Sequence, residues 1–200
     1  MDKKDCFAEV IESHLAHFTA QCWQWNRPPI FGSLVRVQDA TKTIFGIVTH
    51  IQTGSIDPMR TPFAYQKTEA ELMAEQPQIF EFLKTSFTAH VVGHRVMTPD
   101  APLLYQCAPT PSPIHGFVGQ CPPEQAITFF ARTDYIPLLF ANTQTILNLD
   151  ELLLAIVSYR TSLGPIPQNE LDEFCQAFTI LTGNDYRRLK LLLKRIEAVV

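Results

Sequence analysis

The pattern of the chain changes near residue 122, and that change limits the fold more than any other feature. Before it, β-branched and aromatic residues alternate with polar ones, and Pro and Gly break the runs into short pieces. After it, apolar residues recur at helical spacing behind helix-starting residues. The sequence therefore predicts an α+β protein. A small closed β-barrel of about six strands occupies residues 1–122, with a helical excursion at 66–85. An α-helical bundle follows at 123–200.

The strand signals are uneven. Residues 34–38 and 43–51 read as two strands, with the polar link 39–42 forming a hairpin turn. The pattern puts Phe45, Ile47, Thr49 and Ile51 on one face and Ile44, Gly46, Val48 and His50 on the other. Gly46 inside a strand predicts a bulge or a close backbone approach. Residues 86–97 form a strong strand and 103–108 a shorter one, while the proline-rich 108–116 reads as a connector. Residues 7–18 stay open between helix and strand. A helix would group Phe7, Val10, Ile11, Leu15 and Phe18, whereas the Thr, Phe and Trp content of 14–24 favours a strand. Residues 52–62 read as a loop.

Helix signals are clearer. Thr68 and Glu71 have capping-box spacing, and Pro77 divides the excursion into two short helices. Asn148 and Glu151 repeat that spacing. Pro167 opens a helix that Gly183 closes, and Asn184 or Asp185 caps the last one.

Composition excludes several classes. With 16 basic and 20 acidic residues among 200, the net charge of −4 gives no broad attraction to nucleic acid or anionic lipid. The two parts carry 9 basic against 11 acidic and 7 against 9 residues, so charge does not mark the boundary. No apolar run approaches the ~18 residues of a membrane span, and no secretory signal follows the N-terminus. Five scattered cysteines (Cys6, Cys22, Cys107, Cys121, Cys175) read as reduced thiols of a cytosolic protein.

Catalytic motifs are missing. Neither GxxxxGK[ST] nor GxGxxG nor GxSxG is present. His90 and His94 show the spacing of a helical metal pair, but on a strand they lie ~13 Å apart, too far to share an ion. His115, Cys107 or Cys121 would have to join one of them. Glu69, Glu71 and Glu75 fit a solvated helix face. No cofactor, metal or catalytic residue is expected.

Two features suggest binding. The 52–85 excursion carries Arg60, Tyr65, Lys67, Gln76, Gln78 and Phe80, of which Arg60, Tyr65 and Gln78 are the candidate contacts. The last helix gathers Arg187, Arg188, Lys190, Lys194 and Arg195 within nine positions. Arg187, Lys190 and Lys194 form its polar stripe, which Arg188 and Arg195 can extend, opposite Leu189, Leu192, Leu193 and Ile196.

The strings FGSLVRVQD (31–39), TIFGIVTHIQTG (43–54), TEAELMAEQPQIFEFLKTSF (68–87) and TAHVVGH (88–94) resemble the HAS-barrel family. That family is named for a barrel shared by the DNA translocase HerA and the catalytic subunits of ATP synthase. The resemblance spans residues 8–120. It implies a barrel used in assembly or docking and supplies no catalytic residue. In large members an ATPase domain follows; here only helices do. The leading expectation is a non-enzymatic docking module that binds a protein partner or itself. A nucleic-acid accessory protein ranks second, and a metal-dependent hydrolase using His90, His94 or His115 last.

Overall fold

Six antiparallel strands close into a barrel in the order β1-β2-β5-β4-β3-β6. The structure, a computed structural model, describes residues 3–57, 59, 62–98 and 100–198. The strands are β1 (Cys6–Ser13), β2 (His17–Cys22), β3 (Leu34–Gln38), β4 (Lys42–Ser55), β5 (Leu83–Val96) and β6 (Phe117–Gln120). Closure gives each strand a partner on both sides over at least part of its length.

The open choice at residues 7–18 resolves as two strands. Ala8 and Val10 of β1 and Phe18, Ala20 and Cys22 of β2 point inward at period two and are buried. Ile11 and Leu15, which a helix would have placed beside them, are exposed. A tight turn joins the strands, closed by the His14 amide donating to the His17 carbonyl at 2.8 Å.

Strands β4 and β5 form one long ribbon, paired from Lys42–Val96 to Ser55–Leu83. Residues 52–55, expected in a loop, continue the strand. The ribbon outruns its neighbours, so residues 56–82 sit at its tip. Two bulges bend it. Val92 is the extra residue opposite the Phe45–Gly46 step, where the expected irregularity at Gly46 falls. A Cβ on Gly46 would lie 3.0 Å from the Ala89 Cβ and 3.1 Å from Phe18. Thr49 is the second extra residue. It shifts the alternation, so Ile51 packs against the barrel interior instead of sharing the outward face of Phe45 and Ile47.

The sixth strand is β6, not residues 103–108. That segment contributes only a Leu104–His94 bridge. The four-residue FVGQ carried too short an alternation to read, and its place is fixed by pairing with both β1 and β3.

Two short helices, α1 (Glu69–Glu75) and α2 (Gln78–Glu81), occupy the excursion. Thr68 and Glu71 make the expected capping box. The helical part ends at Glu81, because Leu83–Ser86 already pair with β4. Five helices follow the barrel: α3 (Pro123–Phe130), α4 (Ile136–Ala141), α5 (Leu149–Ser162), α6 (Gln168–Leu181) and α7 (Tyr186–Ile196). Asn148 caps α5 by accepting from the amides of Asp150 and Glu151, but Glu151 turns away to Arg195, so that cap is one-sided. Asp185 caps α7.

The hydrophobic interior has two parts. Val10, Phe18, Val37, Ile44, Val48 and Phe87 fill the barrel. Leu34, Phe45, Ile47 and Val92 face outward from its wall and join Phe129, Ile136, Leu139, Leu152, Ile156 and Phe178 of the helices. Barrel and helices thus share one seam. Gly32 permits it. Its φ is +80°, and a Cβ there would lie 2.8 Å from the backbone of Ala155 in α5.

Candidate functional site

Three surface features gather polar or apolar side chains that the fold leaves unused. The first is a groove of about 540 Å³ at the ribbon tip, lined by Ser55, Met59, Phe63, Tyr65, Gln78 and Phe82 among others. The sequence candidates Tyr65 and Gln78 meet here; Arg60 lies outside the described residues. The rings of Phe63 and Tyr65 are 4.3 Å apart. Met59 is 91% exposed and Phe63 69%, although both carry large apolar side chains. Trp25 stacks on Phe80 of α2 at 5.3 Å and ties the excursion to the barrel. Lys67 pairs with Glu75, and the Thr68 amide and hydroxyl donate to Glu71, lowering its pKa.

The second feature is the outer face of α7. Arg188 and Arg195 are not part of an open stripe, because each grips a carboxylate of α5, Asp150 and Glu151 respectively. Arg187, Lys190 and Lys194 remain exposed, with no ion-pair partner among the described residues. Leu191, between them, is 67% exposed. The three predicted cations therefore share one face, on an element separate from the groove.

The third is a cleft of about 640 Å³ between the barrel wall and the 143–147 loop. It was not anticipated. Thr19, Thr88 and His50 lie directly opposite one another across β2, β5 and β4, and His17 faces His90 in the next row. Thr143, Gln144 and Thr145 close the other side. The available signal was alternation: His17 and Thr19 flank Phe18, and Thr88 and His90 flank Ala89, so the polar members share the outward face.

His90 is buried, with 1% of its surface exposed, and both ring nitrogens are engaged. Nδ1 is 2.8 Å from the Thr49 hydroxyl and Nε2 2.8 Å from that of Thr145. Each hydroxyl also has a carbonyl within reach, Asn142 for Thr145 and Thr88 for Thr49, and a neutral His90 donates through one ring nitrogen and accepts through the other. Burial, and next the His17 ring, pull the His90 pKa down to about 4. Burial and then His14 also lower His17, against an opposing pull from Glu12.

The metal candidates stay apart. His94 is 2% exposed and contacts the Gln106 carbonyl, while His115 pairs with Glu9 at 2.6 Å. Cys107 is exposed and Cys121 buried. Among the described residues, no three His, Cys, Asp or Glu side chains are grouped to hold an ion. Cys22, Cys107, Cys121 and Cys175 are free thiols. Burial pushes Cys22 up to about 11 and Cys121 up to about 12, the latter against Arg36 and Arg95, so neither is an activated nucleophile. No helix among the described residues is long and apolar enough to cross a membrane.

No protein-family model matches the chain, and no curated protein matches it.

Proposed function

We propose that this protein is an assembly module without chemistry of its own. Copies join head to tail, with the basic face of α7 on one copy seated in the excursion groove of the next. The observation carrying this reading is the groove itself, where Met59 and Phe63 are presented to solvent beside the ribbon tip.

Charge and shape favour a second copy as occupant. The 52–85 segment holds five acidic and three basic residues. The α7 face offers Arg187, Lys190 and Lys194 around the projecting Leu191, an apolar knob with a cationic surround. Helix-in-groove docking uses this combination: the apolar anchor contributes affinity and the charges set orientation. Two different patches make the contact heterologous, so it propagates into a ring or an open chain. The resemblance of residues 8–120 to the HAS-barrel family, whose barrels serve assembly, points the same way.

Mixing two disabled variants tests it. Phe63→Asp removes the groove and leaves α7; Leu191→Asp does the reverse. In sedimentation velocity each alone is expected to stay monomeric, and an equimolar mixture to form a dimer that weakens as salt rises. A wild-type chain that remains monomeric at every concentration, or a mixture that never dimerises, rejects the proposal. Salt-dependent retention on DNA through the α7 cations, without self-association, would put the nucleic-acid reading in its place.

A further inference from the structure

We infer that the histidine–threonine cleft beside the 143–147 loop is a binding site for a phosphoryl group. The inference does not depend on the assembly reading, because the cleft shares no residue with the groove or with α7.

The position is unusual for what it contains. Elsewhere along the seam the outward barrel face is apolar, with Leu34, Phe45, Ile47 and Val92 packed on helices. Here the same wall carries imidazoles and hydroxyls. Their counterparts on the loop are Thr143, Gln144 and Thr145. A folding requirement alone would be met by apolar residues at these positions, since the neighbouring wall meets it that way. The cleft instead keeps an open volume of about 640 Å³, lined by hydrogen-bonding side chains together with Ile146 and Leu147.

The lining narrows the ligand class. It contains no Asp, Glu, Lys or Arg. A cation would find no carboxylate, and no metal-binding group is assembled among the described residues. An oxyanion finds hydroxyl donors on Thr19, Thr88 and Thr143, the Gln144 amide, and two accessible imidazoles, His17 and His50. Both imidazoles are accessible ring N–H donors, a group that suits an oxyanion. Leu147 and His50 also line the adjoining hollow with Asn148, at the N-terminus of the 14-residue α5. That end of the helix dipole favours negative charge, and its own acids, Asp150 and Glu151, are already held by Arg188 and Arg195.

His90 has a positioning role. It stays neutral, and its two hydrogen bonds fasten the Thr145 loop to Thr49 on the barrel wall, which fixes the cleft's width. Contact with the anion therefore falls to His17 and His50, which line the cleft. The groups facing His17 are His14, Glu12 and His90. Glu151 shares a hollow with His50, and Arg195 holds it.

The test is an NMR titration of the histidine ring C–H signals with inorganic phosphate near about pH 6.5, at constant ionic strength in chloride. Phosphoserine, a phosphate monoester, is titrated in parallel. Saturable shifts at His17 and His50, with His115 unmoved, are expected. His17, whose pKa burial lowers, should titrate at higher pH when phosphate is present. Tighter binding of phosphoserine would assign the site to esters, and tighter binding of phosphate to the free ion. Thr88→Val should weaken binding about 10-fold. Thr143→Ala, on the exposed loop, supplies a second variant should Thr88→Val fold poorly. Shifts that never saturate, or that appear equally at His115, overturn the inference, as does unchanged affinity in a folded Thr143→Ala chain.

Discussion

Arg188 of α7 meets Asp150 of α5 with two nitrogens, Nε at 3.0 and 3.1 Å from the carboxylate oxygens and Nη2 at 2.6 Å from one of them. The same guanidinium lies 5.5 Å from the Phe178 ring centre in α6. One side chain thus joins three helices. The pair is partly exposed, so its contribution stays near the upper end of surface pairs, about 1 kcal/mol. Arg188→Met should lower the melting temperature by about 3 °C, with little further loss in high salt. An equal salt response in wild type and variant would mean that the pair contributes nothing.

This relationship also shows what the sequence could and could not reveal. Five basic residues in nine positions were plain, and so was their helical phase. Which of them face solvent was not, because that depends on α5, 38 residues earlier for Arg188 and 44 for Arg195. Long-range pairing decides the other differences as well. Residues 103–108 had the better strand pattern, yet β6 is recruited because only 117–120 lie between β1 and β3. The Ile51 face followed strict alternation until the extra Thr49 reset it. Caps and turns were legible because their hydrogen bonds close within four residues, as at Thr68–Glu71 and Asn148. The cleft was hidden for the opposite reason: His17, His50 and His90 stand on three strands and become neighbours only through register.

His90 makes stability depend on pH. Its folded pKa of about 4 lies below the ordinary 6.5, so the unfolded chain takes up a proton that the folded chain refuses. The contribution is complete above about 6.5 and is lost as pH falls toward 4. Chemical denaturation between those limits should show falling stability with a slope of about one proton. His90→Gln should flatten that slope while lowering stability at neutral pH. A variant with the wild-type slope would assign the acid response to other groups.

Gly32 gives a steric prediction. Both its φ of +80° and the 2.8 Å approach to the Ala155 backbone exclude a side chain. Gly32→Ala combines left-handed strain with overpacking at the seam, and should cost about 3 kcal/mol. Gly54, with open space around it, serves as control: Gly54→Ala is expected to change stability little. Equal denaturation midpoints for the two variants would show that the seam yields easily around residue 32.

Among the described residues, Arg160 and Glu170 form the ion pair most withdrawn from water, with side chains 6% and 13% exposed and an Nη2–Oε2 distance of 3.1 Å. Arg160 also donates to the Gly164 carbonyl, so it holds the α5–α6 turn from two sides. Removing Glu170 leaves a buried cation with a single carbonyl partner. Glu170→Ala should therefore destabilise by about 3 kcal/mol, well beyond an exposed pair. The double variant Arg160→Met with Glu170→Leu should recover much of that loss, because neither side chain then carries an unpaired charge into the interior. The comparison separates two explanations. Recovery assigns the single-variant loss to the stranded guanidinium, whereas a double variant as unstable as Glu170→Ala assigns it to the turn that Arg160 fastens.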